Sequence, residues 1–419
     1  MGQKQSAQDH FDRILDGDEE NITILQRNGS PTFKKQKDEN VKPNRTKYII
    51  IGVVIALLLA FTLLSLNILF AYFVAGSYVF DKIFYVNKEG YHRDCRENTY
   101  ESFTTNGDCQ GVTTPNSANY SRFIVPLSHL ETNISFPSRD SFWAEKEENG
   151  GTIRGTFYNY DNLTSRPVVI VVHGYKACRM NSRVMLVSAM LWQHKYNVLA
   201  IDLRNHGQSD AYTFQKPYIT FGSEEHKDVL GAYDYLVTRY RNTTLSQGRP
   251  VVSLYGESMG ASSALIAFEK ERNFTSAFLD SPPCNVRWTV EKRFELMGYN
   301  HKFFLSSACA TAGIQSSFGC PPFANDPEQS CKDLAQQSNA TNPKRIHFEW
   351  TRGDMIVPVH NLEVCENALA HPGVAVTKNV MDSKLELDQA KCNDHVYNVF
   401  LNTTAYETRL LNFFDETTK

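Results

Sequence analysis

A serine set between two glycines at the end of a strand constrains this chain more than any other feature. Gly256-Glu257-Ser258-Met259-Gly260 separates Val251-Val252-Ser253-Leu254-Tyr255, which reads as a buried strand, from Ala261-Ser262-Ser263-Ala264-Leu265-Ile266, which reads as a helix start. Gly-x-Ser-x-Gly at a strand-to-helix junction is the context in which a serine is presented as a nucleophile. A serine at the tip of so sharp a turn sits in a strained backbone conformation, and side chains two residues to either side would collide with their neighbours, so only glycine fits both flanks. The turn also places the Met259 N–H at a helix start, where it can receive negative charge developing on a carbonyl oxygen. A turn merely rich in Gly and Ser is the competing reading, but it would not require the strand, helix and partner residues that appear here in order.

The flanking segments fix the fold class. Pro167 to Val172 is a β-branched run, Asn181 to His194 reads as a helix and Asn197 to Asp202 as a strand. Ser223 to Arg241 reads as a helix with Ser223 as N-cap and acids in its first turn. Strands follow at Ser276 to Asp280, Arg345 to Thr351 and Val374 to Val380, and a closing helix runs from Val396 to Phe414. Strands apolar throughout are buried on both faces, which predicts an α/β fold of about 280 residues with a mostly parallel central sheet flanked by helices. Its start is placed at residue 140, because Ser141 to Glu145 and Thr152 to Tyr158 flank Asn149-Gly150-Gly151, a hairpin signal.

Upstream the composition changes. No charged residue occurs from Tyr48 to Phe80, and Ile49 to Ala75 is almost wholly apolar. At ~1.5 Å per residue this exceeds the ~30 Å hydrocarbon thickness of a bilayer, which predicts a single transmembrane signal anchor over residues 48–75. A cleaved signal peptide would have an apolar region of only about 7 to 15 residues. Residues 1–47, with eight acidic and nine basic side chains and little periodic hydrophobicity, are expected to be a disordered tail. Lys34, Lys35, Lys37, Lys42, Arg45 and Lys47 outnumber Lys82, Lys88 and Arg93 on the far side. The positive-inside rule therefore predicts a type II protein, with a cytoplasmic tail and a lumenal or extracellular remainder. All nine cysteines lie at Cys95 or later, which agrees with that side being an oxidising compartment. Glycosylation sequons fall there too, at Asn119, Asn133, Asn162, Asn242, Asn273, Asn339 and Asn402, although Asn21, Asn28 and Asn44 match within the tail. Residues 76–139 read as a polar stalk in which Cys95 and Cys109 are close enough to close a short loop. A net charge of −3 argues against a nucleic-acid partner.

Two further segments supply what the serine needs. His173-Gly174-Tyr175 ends the first parallel strand, where a glycine lets the backbone approach a substrate so that the N–H of Tyr175 can join that of Met259 as an oxyanion donor. Gly353-Asp354 to Val357-Pro358 follows a late strand, and Asn393-Asp394-His395 follows the last one. Asp382, Asp388 and Asp394 compete with Asp354 as the acid, but none follows a strand in a Gly-Asp context. His206 competes as a second catalytic histidine but is expected to structure the loop after its strand, and Cys178, which lies outside the elbow, is expected to be a disulfide or buried thiol and not a nucleophile. No metal-ligand cluster or cofactor motif is apparent.

These blocks, with Asp202-Leu203-Arg204-Asn205-His206-Gly207-Gln208-Ser209, span roughly residues 140 to 415, and over that range the chain resembles the α/β-hydrolase superfamily, in particular its membrane-anchored, ABHD-type serine hydrolases. The resemblance implies the α/β-hydrolase fold, Ser258 as nucleophile, His395 as its base and Asp354 as the carboxylate that orients the imidazole. The chain departs from a minimal member between Ser281 and Arg345, read as a cap insertion over residues 282–345 with a helical stretch from Val286 to Leu296. Its Trp288, Met297, Phe303, Phe304 and Phe318 either line an acyl pocket or pack the cap. Cys392 is a candidate partner for Cys365, tying the His395 loop to the helix after Asp354. The expected activity is hydrolysis of carboxylic esters, lipid acyl esters foremost, without metal or cofactor. A serine peptidase of the prolyl-oligopeptidase kind and a silent adhesion protein on the same fold are the alternatives. Oligomeric state is not legible.

Overall fold

A computed structural model describes residues 45–83, 121–139, 151–161, 166–210, 219–241, 250–296, 326–339, 343–382 and 395–418. The chain divides into two compact units, Met1–Leu63 and Leu64–Lys419. Helix α1, Arg45–Ile83, begins three residues before the predicted span. Its stretch Arg45–Gly76 is long and apolar enough to cross a membrane, and its apolar side chains from Tyr48 to Val74 are largely exposed. The hydroxyl of Thr62 donates back to the carbonyls of Leu58 and Leu59, so even this polar side chain is satisfied within the helix.

The second unit is built on an eight-stranded sheet in the order β1-β2-β4-β3-β5-β6-β7-β8. The strands are β1 Leu130–Pro137, β2 Thr152–Tyr158, β3 Val168–Val172, β4 Asn197–Asp202, β5 Val252–Glu257, β6 Phe274–Asp280, β7 Lys344–Thr351 and β8 Val374–Met381. Only the pairings of β2 are antiparallel. Side-chain alternation along β3 serves two cores: Val168, Ile170 and Val172 face one, Val169 and Val171 the other. The first core is covered by α3 (His226–Arg241), α4 (Met259–Lys270), α6 (Pro327–Gln337) and α7 (His360–Ala368). The second is covered by α2 (Ser182–Gln193), the short α8 (Asn398–Leu401) and α9 (Thr403–Thr418). Helix α5, Val286–Leu296, has the bounds expected from sequence. This is the α/β-hydrolase fold.

Several expectations are corrected. The sheet begins at Leu130, not at residue 140, and Phe123 and Val125 already pack into the second core. The partner of β2 is thus β1, whereas Ser141–Glu145 lies outside the described residues. Helix α3 starts at His226 because the residues before it form a turn of their own. Gly222 has φ +103°, and the Glu225 carboxylate accepts the N–H groups of Thr220 and Gly222 and the Thr220 hydroxyl. The closing helix is split at Asn402, whose side chain accepts the Ala405 N–H and starts α9 anew. Within the supposed cap, α6 packs on α4 and α7 as part of the helical layer. Asp326 caps it and Pro327 occupies its first turn. Trp288 packs against the His360 ring at 4.8 Å, and Met297, Phe303, Phe304 and Phe318 lie outside the described residues. Cys365 pairs with Cys284, not with Cys392.

Candidate active site

Ser258 stands between β5 and α4 with φ +52° and ψ −123°, a conformation that costs roughly 1–3 kcal/mol and persists only where the surroundings impose it. They do so on both sides. A Cβ at Gly256 would lie 2.6 Å from the Ala261 Cα, and one at Gly260 would lie 2.3 Å from the His173 carbonyl oxygen. Across the sheet, the Ser258 N–H donates to the Asp280 carbonyl at 2.7 Å. The backbone is therefore clamped between the neighbouring strand and the following helix.

Parallel strands deliver the other groups to the same end of the sheet. Asp354 follows β7 and is buried; its Oδ1 accepts the N–H groups of Ile356 and Val357 at 2.9 and 2.8 Å. Its Oδ2 lies 2.7 Å from His395 Nδ1, and His395 Nε2 lies 2.7 Å from the Ser258 Oγ. Ser258, Asp354 and His395 thus form one unbroken hydrogen-bonded line. Of the competing acids, Asp382 is exposed and paired with Arg352, while Asp388 and Asp394 lie outside the described residues.

The loop after β3 lies against the serine, for a Cβ at Gly174 would approach the Ser258 Cβ to 3.3 Å. His173 fixes the orientation of this loop. Its Nε2 accepts the Leu203 N–H at 3.0 Å, so the proton is on Nδ1, which donates to the Gly174 carbonyl at 2.7 Å. In a trans peptide the Tyr175 N–H then points away from the His173 ring. Burial pushes the His173 pKa down to about 4, which keeps this pattern of donor and acceptor intact at neutral pH. His206 anchors the far side: Nε2 accepts the Lys176 N–H at 3.3 Å and Nδ1 donates to the Arg204 carbonyl at 2.8 Å. Burial, then the neighbouring His173, lower its pKa to about 3. Met259 opens α4, and its N–H belongs to the first turn, where no earlier helical carbonyl can accept it. Cys178 is disulfide-bonded.

Three further residues escape a reading of the sequence. Glu257, Asp280 and Glu349 stand side by side on β5, β6 and β7, all buried. The outer two each meet an arginine, Arg183 and Arg409 respectively. Asp280 meets the Tyr406 and Ser281 hydroxyls at 3.0 and 3.1 Å instead. Burial, then the charge of Glu349, hold its carboxyl well above the usual carboxylate range. Pairing with arginine at 74 residues' separation, as between Arg183 and Glu257, leaves no local signal in sequence.

Residues 164–348 match the family model described as serine aminopeptidase, S33. An esterase from Pyrococcus furiosus is 18% identical with a TM-score of 0.49, the match covering 68% of this chain and 91% of that one. An esterase from Pyrobaculum calidifontis is 15% identical with a TM-score of 0.47, over 71% of this chain and 89% of the other. Est1E from Butyrivibrio proteoclasticus, described with ferulic acid bound, is 14% identical with a TM-score of 0.44, over 64% and 98%. No curated protein matches the sequence.

Proposed function

We propose that this chain, on its α/β-hydrolase fold, is a serine hydrolase that cleaves carboxylic esters through Ser258, His395 and Asp354. The observation that carries this reading is the line Asp354–His395–Ser258, both of its hydrogen bonds 2.7 Å long and ending on a serine in a strained elbow. In the first step His395 Nε2 takes the hydroxyl proton as the Ser258 Oγ attacks the carbonyl carbon. Asp354 stabilises the imidazolium that forms. The oxyanion is received by the N–H groups of Tyr175 and Met259. Collapse expels the alcohol, which takes its proton from His395. Water, deprotonated by the same nitrogen, then releases the acid and restores Ser258.

The finer substrate reading is a lipid acyl ester. Its support is α1, which is apolar enough to hold the protein in a bilayer, where acyl esters reach high effective concentration. Anchoring by α1 with the tail in the cytoplasm belongs to the same proposal. Amide hydrolysis is the second reading, favoured by the aminopeptidase description of the matching family model.

A fluorophosphonate probe tests the core of the proposal. Wild type is expected to be labelled at Ser258, Ser258→Ala not at all, and Asp354→Asn and His395→Ala at least 100-fold more slowly, since an unactivated hydroxyl is a poor nucleophile. Absence of labelling of the folded wild type would remove the proposal. A p-nitrophenyl ester series beside proline-containing dipeptide amides separates the readings. Rates rising from acetate to medium chains support the lipid ester, and faster amide cleavage moves the peptidase ahead.

A further inference from the structure

One ion pair touches all three loops that meet at the candidate nucleophile. Glu257 immediately precedes Ser258 and is fully buried. Its Oε1 accepts the Gly174 N–H at 3.2 Å, and a Cβ at Gly174 would come within 3.4 Å of the same oxygen, so the oxyanion loop rests directly on this side chain. Arg183 grips the carboxylate with two hydrogen bonds, Nε to Oε2 at 3.0 Å and Nη2 to Oε1 at 3.2 Å. The arginine is itself anchored, for its own backbone N–H is held by the capping side chain of Asn181 at the start of α2. Its guanidinium also lies 5.7 Å from the centre of the Tyr397 ring, two residues beyond His395. Burial works against the charge on Arg183, but Glu257 outweighs it and raises the pKa further.

We infer that Arg183 and Glu257 form a positioning clamp that holds the oxyanion loop and the histidine loop in register with Ser258. Neither residue touches substrate. The pair acts through Gly174: its N–H is committed to Glu257 and its carbonyl to His173, so both ends of the peptide groups leading to Tyr175 are fixed before a substrate arrives. An oxyanion donor set in advance gains its strength in the transition state and not in the ground state. Loss of the clamp is therefore expected in kcat, with little change in KM. The inference rests on the proposed hydrolase reading.

The test uses the full-length protein in detergent micelles with p-nitrophenyl acetate and a trifluoromethyl ketone that forms a covalent oxyanion adduct. In the double variant Arg183→Met/Glu257→Gln both charges go together, which leaves no buried unpaired ion and spares the fold. We expect kcat to fall about 10- to 100-fold, the ketone to bind more weakly by the same factor, and KM and the melting temperature to stay near wild type. Arg183→Lys, which keeps the charge but loses the two-pronged grip, is expected to recover part of kcat. It also serves if the double variant does not fold, because an Arg183→Lys protein with full kcat and full ketone affinity overturns the clamp. A folded double variant with kcat within about threefold of wild type, or one in which KM alone rises, overturns it too. If fluorophosphonate fails to label wild type, the hydrolase reading itself has failed. Labelled wild type with an indifferent double variant fails the clamp alone.

Discussion

Three of the four buried histidines outside the reactive line, among the described residues, decide how this protein meets acid. His173, His206 and His226 are held neutral, burial lowering the first to about 4 and the other two to about 3. The groups facing them are Glu257 and Arg179 at His173, Asp202 and Asp228 at His206, and Lys270, Lys227 and Arg204 at His226. Each native pKa lies below the unfolded value, so below pH about 6.5 the unfolded chain takes up protons that the folded protein refuses. The stability these sites contribute is present above pH 6.5 and is lost as pH falls toward the native values. At about 1.4 kcal/mol per pKa unit, His173 alone accounts for about 3 kcal/mol. Thermal melts from pH 7.5 down to 4 are expected to show a steep loss beginning near 6.5. His226→Gln, which can still donate to the Gly222 carbonyl as Nδ1 now does at 3.0 Å, is expected to flatten it. A wild-type melting temperature indifferent to pH over that range would contradict the burial of all three as neutral rings.

At the scale of elements, the cross-link between Cys284 and Cys365 joins the chain leaving β6 to helix α7, beyond the Asp354 loop, and closes 81 residues of sequence. The third sulfur, Cys331 on α6, is a buried free thiol 3.4 Å from that of Cys365. Non-reducing peptide mapping is expected to find Cys284 joined to Cys365 and Cys331 unmodified; Cys365 joined to Cys392 would overturn the pairing. Cys284→Ala/Cys365→Ala is expected to cost roughly 2–4 kcal/mol of stability, read as a lowered melting temperature that reductant no longer shifts. Such pairings were not legible in sequence, because three cysteines from three helices and loops meet only after the sheet has formed. The central strands were legible for the opposite reason: Val168–Val172 is β-branched and buried on both faces, so composition alone marks it. Strand β1 was not, since it is an edge strand with an irregularity between Glu131 and Ile134 and only Phe136 fully buried, which erases the two-residue period. Helix α6 did carry a signal, Asp326-Pro327 as cap and first turn, which was submerged in the length of the supposed insertion. The line Ser258, Asp354 and His395 was readable because each member follows a strand end. Glu257 and Arg183 were not, because nothing local distinguishes an ion pair that folding alone brings together.

For the whole molecule, the direction of the strands separates the site from the place where the chain joins the sheet. Leu130 pairs with Tyr158, which pairs with Val198 near the beginning of β4, so β1 starts at the N-terminal end of the parallel strands. Ser258, Asp354 and His395 all stand at or beyond the C-terminal end. Strand β1 therefore enters the sheet at the end opposite Ser258. Which compartment the domain faces depends on the orientation proposed for α1, and the sequons report it. Asn133, Asn273, Asn339 and Asn402 are all exposed, and Asn402 caps α9 through its carbonyl oxygen, which leaves its amide nitrogen available for a glycan. In sealed microsomes, endoglycosidase added after solubilisation is expected to shift the protein by several glycans. Protease added outside the intact vesicles is expected to remove only the segment before Tyr48. Asn21, Asn28 and Asn44 lie in that segment and are expected to stay unmodified, so replacing all three by Gln leaves the glycan shift unchanged. An unglycosylated domain digested from outside would reverse the orientation. It would also place the Cys284–Cys365 cross-link in a reducing compartment, where such bonds seldom persist, so the peptide map and the glycan shift must agree.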